Sequence, residues 1–264
     1  MSQHLDHILI TGASGGLGTA LAIAYAKNNI GITLSLFGRQ AKVLQDVAAS
    51  CRALGAKVVI YVLDIRNTEA LVKLMLKIDI KHPLDLIIAN AGIAVYLNHM
   101  NQLETVDDIR DSINTNLISA MVMVNSVLSR MRQRKHGQIA FISSIAAYHG
   151  LAISPSYCAS KAGLKAYSEA LRSLLHCDKI GVSVICPGFI ESNMSQSFHG
   201  YKPFLLSSET AALKIMAGLK RNRACITFPY WLSLGTRLLG LLPQAVRDFC
   251  IRIVIAGLSD PLKF

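Results

Sequence analysis

An apolar run, Ile8-Leu9-Ile10, breaks directly into Thr11-Gly12-Ala13-Ser14-Gly15-Gly16-Leu17-Gly18 and then into helix-forming residues. No other feature so narrows what this chain can fold into. A buried strand that turns sharply on glycines into a helix leaves unpaired N–H groups at the helix start. Those groups and the helix dipole favour an anion, and the glycines let a phosphate approach the backbone closely. The Gly12, Gly16, Gly18 spacing departs from the usual G-x-G-x-x-G, but it sits at the same point of a strand–turn–helix unit.

The unit repeats along the chain. Short apolar runs at His7–Thr11, Ile32–Phe37, Lys57–Leu63, Leu84–Ala89, Gln138–Ser143, Val182–Cys186 and Ala224–Phe228 read as strands. Helical patterns lie between them, at about 16–29, 40–54, 67–81, 103–134, 155–178 and 207–221. Strands that alternate with helices and are apolar on both faces predict a Rossmann-type, doubly wound parallel sheet of about seven strands with helices on both faces. Ser154-Pro155 fits a helix start, with serine as N-cap and proline at the first helical position. No linker, repeat or low-complexity tract divides the chain, so one catalytic domain over 1–228 is expected, with a hydrophobic helical extension over 229–264 packed on it.

Phosphate binding by the first loop predicts a dinucleotide, and the end of the second strand carries the choice between two. An acid there would bind the 2′-hydroxyl of NAD, and a base the 2′-phosphate of NADP. The chain reads Leu36-Phe37-Gly38-Arg39, with no acid, and Ser14 is a second candidate phosphate contact. NADP(H) is favoured, and NAD(H) stays open.

Tyr157-Cys158-Ala159-Ser160-Lys161 places a phenol and an ammonium at i, i+4, on one face of a helix. A phenol, with a reference pKa of about 10, is a poor acid or base at neutral pH, and a neighbouring cation favours its ionised form. Ser144, thirteen positions upstream of the tyrosine, offers a hydroxyl for the same site; Ser143 is the alternative. Tyr157 is thereby a candidate proton donor and acceptor.

Taken together, these residues resemble the short-chain dehydrogenase/reductase family over about residues 7–228. The resemblance rests on the Thr-Gly-x-x-x-Gly-x-Gly loop at 11–18, Asn90-Ala91-Gly92, Asn116, Ser144, Tyr157-x-x-x-Lys161 and Pro187-Gly188. It implies that Tyr157 is the acid/base for hydride transfer between nicotinamide and a carbonyl or alcohol. Lys161 would lower the phenol's pKa and hold the nicotinamide ribose, Ser144 would bond the substrate oxygen, and Asn116 (with Asn114 as an alternative) would anchor a proton-relaying water. Gly12, Ser14, Gly15, Gly16, Leu17, Gly18 and Arg39 would hold the phosphates, and Asp64 and Ile65 the adenine. Asn90 would tie the central strands together, while Ala91 and Gly92 let the cofactor approach. Pro187, Gly188, Ile190 and Ser192 would bind the carboxamide. Tyr148 and His149, in the loop after the fifth strand, either touch substrate or lie in solvent. The resemblance also implies a homodimer through the helices over 103–134 and 155–178.

The segment from Phe189 to Ser208 holds Phe189, Met194, Phe198, Tyr201, Phe204, Leu205 and Leu206, either as a lid over a hydrophobic substrate or as ordinary core packing. The tail is rich in leucine, with Trp231, Arg247 and Arg252 and the nearby Lys220-Arg221-Asn222-Arg223. It suits either a helix on a membrane surface over 229–258 or a helical pair against the substrate entrance or another subunit. Either way a greasy, lipid-like substrate is favoured. The uncharged stretch from Gly137 to Ser160 is broken by Ser143, Ser144, His149, Gly150 and Pro155, so it is not a span.

The net charge of +11 comes from scarce acids, 16 Asp+Glu against 27 Lys+Arg. The longest basic run, Arg130 to His136, reads as the solvated end of a helix, and nothing accompanies it that would favour nucleic acid. The 6 cysteines show no C-x-x-C and no metal-type pairing with histidine. Buried thiols and a start that runs straight into a strand predict a cytoplasmic protein with no signal peptide, peripheral to the membrane if the tail binds lipid.

Overall fold

The computed structural model describes residues 5–97, 102–198 and 200–258. Expectations placed on 1–4 and 259–264 lie outside the described residues. Seven parallel strands form one sheet in the order β3-β2-β1-β4-β5-β6-β7. They are β1 His7–Thr11, β2 Thr33–Gly38, β3 Lys57–Val62, β4 Leu86–Ala89, β5 Gln138–Ile142, β6 Gly181–Pro187 and β7 Cys225–Phe228. The helices of the sheet are α1 Gly16–Asn28, α2 Ala41–Ala53, α3 Thr68–Lys81, α4 Val106–Ile113, α5 Ser119–Arg134, α6 Pro155–Leu174, the short α7 Asn193–Gln196 and α8 Ser208–Lys220. Two more, α9 Tyr230–Leu239 and α10 Gln244–Leu258, form the extension.

Alternation along each strand builds two cores. Ile8 and Ile10 point to the face covered by α1, α2 and α8, whereas Leu9 points to the face covered by α3, α5 and α6. Both faces are buried, which is why the strands read as continuous apolar runs. The strand order reverses between β1 and β4, and at such a switch point the carboxyl ends of the strands open a crevice.

The helix expected over 103–134 starts at Val106 and is not uniform: a π-helical turn, Asn114–Ile118, joins α4 to α5. Such a turn inserts one residue and shifts the helical face. Ser154 occupies the N-cap position of α6 without capping it; its hydroxyl donates to the Val95 carbonyl instead. Glu104 does the capping, accepting from Ser156 N at 3.0 Å and from Ser156 Oγ at 2.7 Å. A carboxylate there also meets the positive end of the helix dipole.

Candidate active site

A cavity of about 530 Å³ occupies the crevice at the switch point. Its cofactor end is shaped by backbone. Gly12 has φ +64, and a Cβ there would lie 2.8 Å from Ala91 Cα, so only glycine fits where β1 meets the loop after β4. Asn90 Nδ2 donates to the Thr11 carbonyl at 2.9 Å, while Thr11 Oγ1 accepts from the amides of Asn90 and Ala91, each at 3.0 Å. The two central strands are therefore tied together beside the glycine loop. No side chain caps the N-terminus of α1, which begins at Gly16 on the cavity wall. Its first-turn amides and the tight glycine cradle fit a dinucleotide pyrophosphate.

Gly12, Ser14, Gly15, Gly16, Leu17, Gly18, Arg39, Asp64, Ile65, Asn90, Ala91 and Gly92 all line this cavity, as do Pro187, Gly188, Ile190 and Ser192. The Ser14 hydroxyl lies against Gly38, the last residue of β2, and Arg39 follows it, exposed. Asp64 is bound by Arg66 (2.7 Å), which also grips Asp111 on α4 at 2.7 Å. The Arg66 guanidinium holds the Asp64 carboxyl below its usual range, with Arg39 adding to the effect. Ser192 is less free than its residue type suggests, because its hydroxyl accepts from Ser195 N at 3.2 Å in a capping box.

The catalytic candidates meet at the middle of the cavity. Tyr157 and Lys161 project from the first turns of α6, with the Lys161 Nζ 5.7 Å from the centre of the Tyr157 ring. Lys161 Nζ donates to the Ile142 carbonyl at 2.9 Å, at the end of β5. Ser144 Oγ accepts from Ala146 N at 3.1 Å and lies near the Tyr157 phenol, whose proton affinity it lowers. Ser143 is committed elsewhere, donating to the Lys161 carbonyl at 2.8 Å. Asn116, in the π turn, is buried: its Oδ1 accepts from Ile93 N at 2.8 Å and its Nδ2 donates to Ser160 Oγ at 2.9 Å. A Cβ on Gly92 would lie 3.1 Å from Asn116 Oδ1 and 3.2 Å from Lys161 Nζ, so the bare glycine keeps these two groups side by side.

Enclosure acts on both members of the pair. Burial pushes the Tyr157 phenol well above its usual range, with Tyr96 adding to the rise and Ser144 opposing it. The ammonium is not among the leading influences on the phenol. Tyr157 keeps some accessible surface because it faces the cavity, yet surrounding protein replaces bulk water on every other side. Burial pulls Lys161 down to about 8, against a smaller opposite effect from Cys186. The proton affinity of the site is thus set first by desolvation.

Beyond Tyr157 the cavity turns apolar. Phe189, Met194 and Phe198 of the lid line it, while Tyr201, Phe204 and Leu205 are exposed, so the lid is divided between the two roles expected of it. Phe198 stacks on Phe189 at 5.3 Å and meets the Tyr96 ring at 5.4 Å. His149 lines the wall and hydrogen-bonds the Thr236 carbonyl, whereas Tyr148 turns away to Cys225 (3.6 Å). The extension closes this end with Leu232, Thr236 and Leu239 of α9 and Ile251 of α10. Tyr96, Leu151, Ile153 and these tail residues carry no motif that marks them in the sequence. The basic cluster Lys220-Arg221-Asn222-Arg223 lies at the opposite end of β7 from Trp231 and does not adjoin it.

Comparison with known proteins agrees with this geometry. The short chain dehydrogenase family matches residues 6–201. An uncharacterized oxidoreductase of Myxococcus xanthus (strain DK1622) is 33% identical over 245 residues, covering 92% of this chain and 95% of the relative. A short-chain dehydrogenase from Sphingobium yanoikuyae, solved with NADPH, superposes with a TM-score of 0.77 at 23% identity, covering 91% of this chain and 98% of that one. A short chain dehydrogenase from Mycobacterium paratuberculosis, bound to NAD, gives 0.72 at 21% identity over 85% of this chain and 96% of that one. With a matching fold, cofactor cradle and family pattern, this chain belongs to the short-chain dehydrogenase/reductase family of oxidoreductases.

Proposed function

We propose that the protein uses NADP(H) to interconvert a carbonyl and a secondary alcohol on a hydrophobic, lipid-like substrate. The observation that carries this reading is a single cavity with two unlike ends: Arg39 and the glycine loop at one, an aromatic and aliphatic chamber at the other, and Tyr157 between them. Arg39 is exposed at the end of β2, where an acid would select against a 2′-phosphate. The likeness to solved relatives leaves the choice open, since one of them holds NADPH and another NAD.

When bound, the reduced nicotinamide would supply a hydride, one hydrogen with two electrons, to the carbonyl carbon and leave as the oxidised ring. Tyr157 then supplies the proton to the oxygen. An alkoxide is a much stronger base than a phenolate, so even a phenol raised by burial gives up its proton to it. Ser144 holds the oxygen against the phenol. Lys161, pulled down to about 8, carries a proton at neutral pH and stands where it can offset the phenolate that remains. Asn116 fixes Ile93 and Ser160 around that ammonium.

Nicotinamide fluorescence titration tests the cofactor assignment. Wild type is expected to bind NADPH more tightly than NADH, and Arg39→Ala to weaken NADPH about 10- to 100-fold with little effect on NADH, because a charge-assisted contact to phosphate is lost. Equal affinities in wild type would overturn the assignment.

A further inference from the structure

We propose that the outer face of α9 and α10, with the tip of the lid, is a docking surface for an anionic lipid bilayer; this deepens the reading of a lipid-like substrate and rests on it. The helical pair has two apolar sides. On α9, Leu232, Thr236 and Leu239 stand at i, i+4, i+7 and line the cavity. The other side carries Trp231, 74% exposed, and Leu238. The turn between the helices carries Leu241, 81% exposed, and α10 presents Phe249, 64% exposed, while its Ile251 joins the Phe198 cluster inside. Tyr201, Phe204 and Leu205 of the lid are exposed as well. A water-facing helical pair needs one apolar side for its core, and this one has a second.

Charge favours lipid over another copy of the chain. The protein carries +11, and from Tyr230 to Leu258 three arginines, at 237, 247 and 252, stand against one acid, Asp248. Two such surfaces repel one another, whereas an anionic leaflet attracts both. Tryptophan and tyrosine beside leucine and phenylalanine suit the boundary between headgroups and acyl chains. Among the described residues no helix is long and apolar enough to cross a membrane, so the contact is lateral. The walls that enclose the apolar end of the cavity are then the walls that face the bilayer.

The test is flotation of the full chain with phosphatidylcholine vesicles, with and without phosphatidylglycerol, alongside light scattering. The variant is Trp231→Ser/Leu241→Ser/Phe249→Ser, none of which lines the cavity. Wild type is expected to float with the anionic vesicles and to release in high salt. The variant is expected to bind about tenfold or more weakly while keeping its NADPH affinity and its turnover of a water-soluble ketone. A wild type that binds NADPH but ignores both vesicle types overturns the docking surface. So does a variant that changes only the oligomeric state, which would assign the face to a second copy. Flotation without NADPH binding would leave the docking surface standing and remove the cofactor reading instead.

Discussion

At the cofactor end of the cavity, position is set by backbone: a positive-φ Gly12, a strand tie through Thr11 and Asn90, and the uncapped start of α1. At the substrate end, position is set by side chains from segments far apart in the chain, among them Tyr96, Ile153, Phe198, Leu239 and Ile251. Backbone geometry tolerates almost no substitution, because a clash with main chain has nowhere to go. Side-chain walls can be recut one residue at a time, at the cost of a contact. One scaffold therefore keeps its cofactor site while the opposite end is free to follow the substrate.

Substitutions that break this division should differ in both size and kind. The largest effect belongs to the junction: Tyr157→Phe removes the proton donor and should lower kcat by about 10²- to 10⁴-fold, with NADPH affinity retained in a fluorescence titration. Gly12→Val comes next. Its Cβ would lie 2.8 Å from Ala91 Cα, and the β-branched residue would have to adopt φ +64. NADPH affinity should fall on the order of 100-fold, while KM for the ketone at saturating cofactor moves little. Leu239→Ala, at the other end, should raise KM for a bulky apolar ketone about tenfold and leave both cofactor affinity and a small ketone's KM near wild type. A Leu239→Ala enzyme that lost NADPH binding would show that the two ends are not independent.

How much of this was legible in the sequence follows the same division. Gly12 and Asn90 could be placed on the cavity wall from local backbone chemistry, Arg39 from its place after the second strand, and Tyr157 and Lys161 because one helical face carries both. The strands and the parallel sheet were legible from their two-sided apolar runs, with ends off by a residue or two. The π turn was not, since one inserted residue barely disturbs the helical period of 103–134. Ser154 has the residue type of an N-cap, but the cap comes from Glu104, 52 positions before the Ser156 that it holds. Lys220 to Arg223 are near Trp231 in sequence but not in space, because β7 carries the chain to the other end of the sheet. The enclosure of the phenol was not legible for a related reason: pairing with a lysine is visible in a sequence, whereas burial is a property of the whole fold.

Glu104 offers the smallest and finest test, since it sits on the seam between the two ends. Its carboxylate holds the start of α6, one residue before Tyr157, and α6 also carries Lys161 at the floor of the cofactor site. Glu104→Gln keeps an acceptor for Ser156 N and Oγ and removes only the charge. The interaction of that charge with the helix dipole is worth about 0.3–1 kcal/mol. The melting temperature should therefore fall by about 1–4 °C, kcat by a few-fold, and NADPH affinity not at all. Glu104→Ala, which removes the acceptor too, should be worse on the first two measures by a further step. If Glu104→Gln matched wild type while Glu104→Ala did not, the hydrogen bonds alone would be holding the catalytic helix. If both matched wild type in kcat, α6 would be positioned by its packing against the sheet, and the junction would belong to the rigid cofactor end.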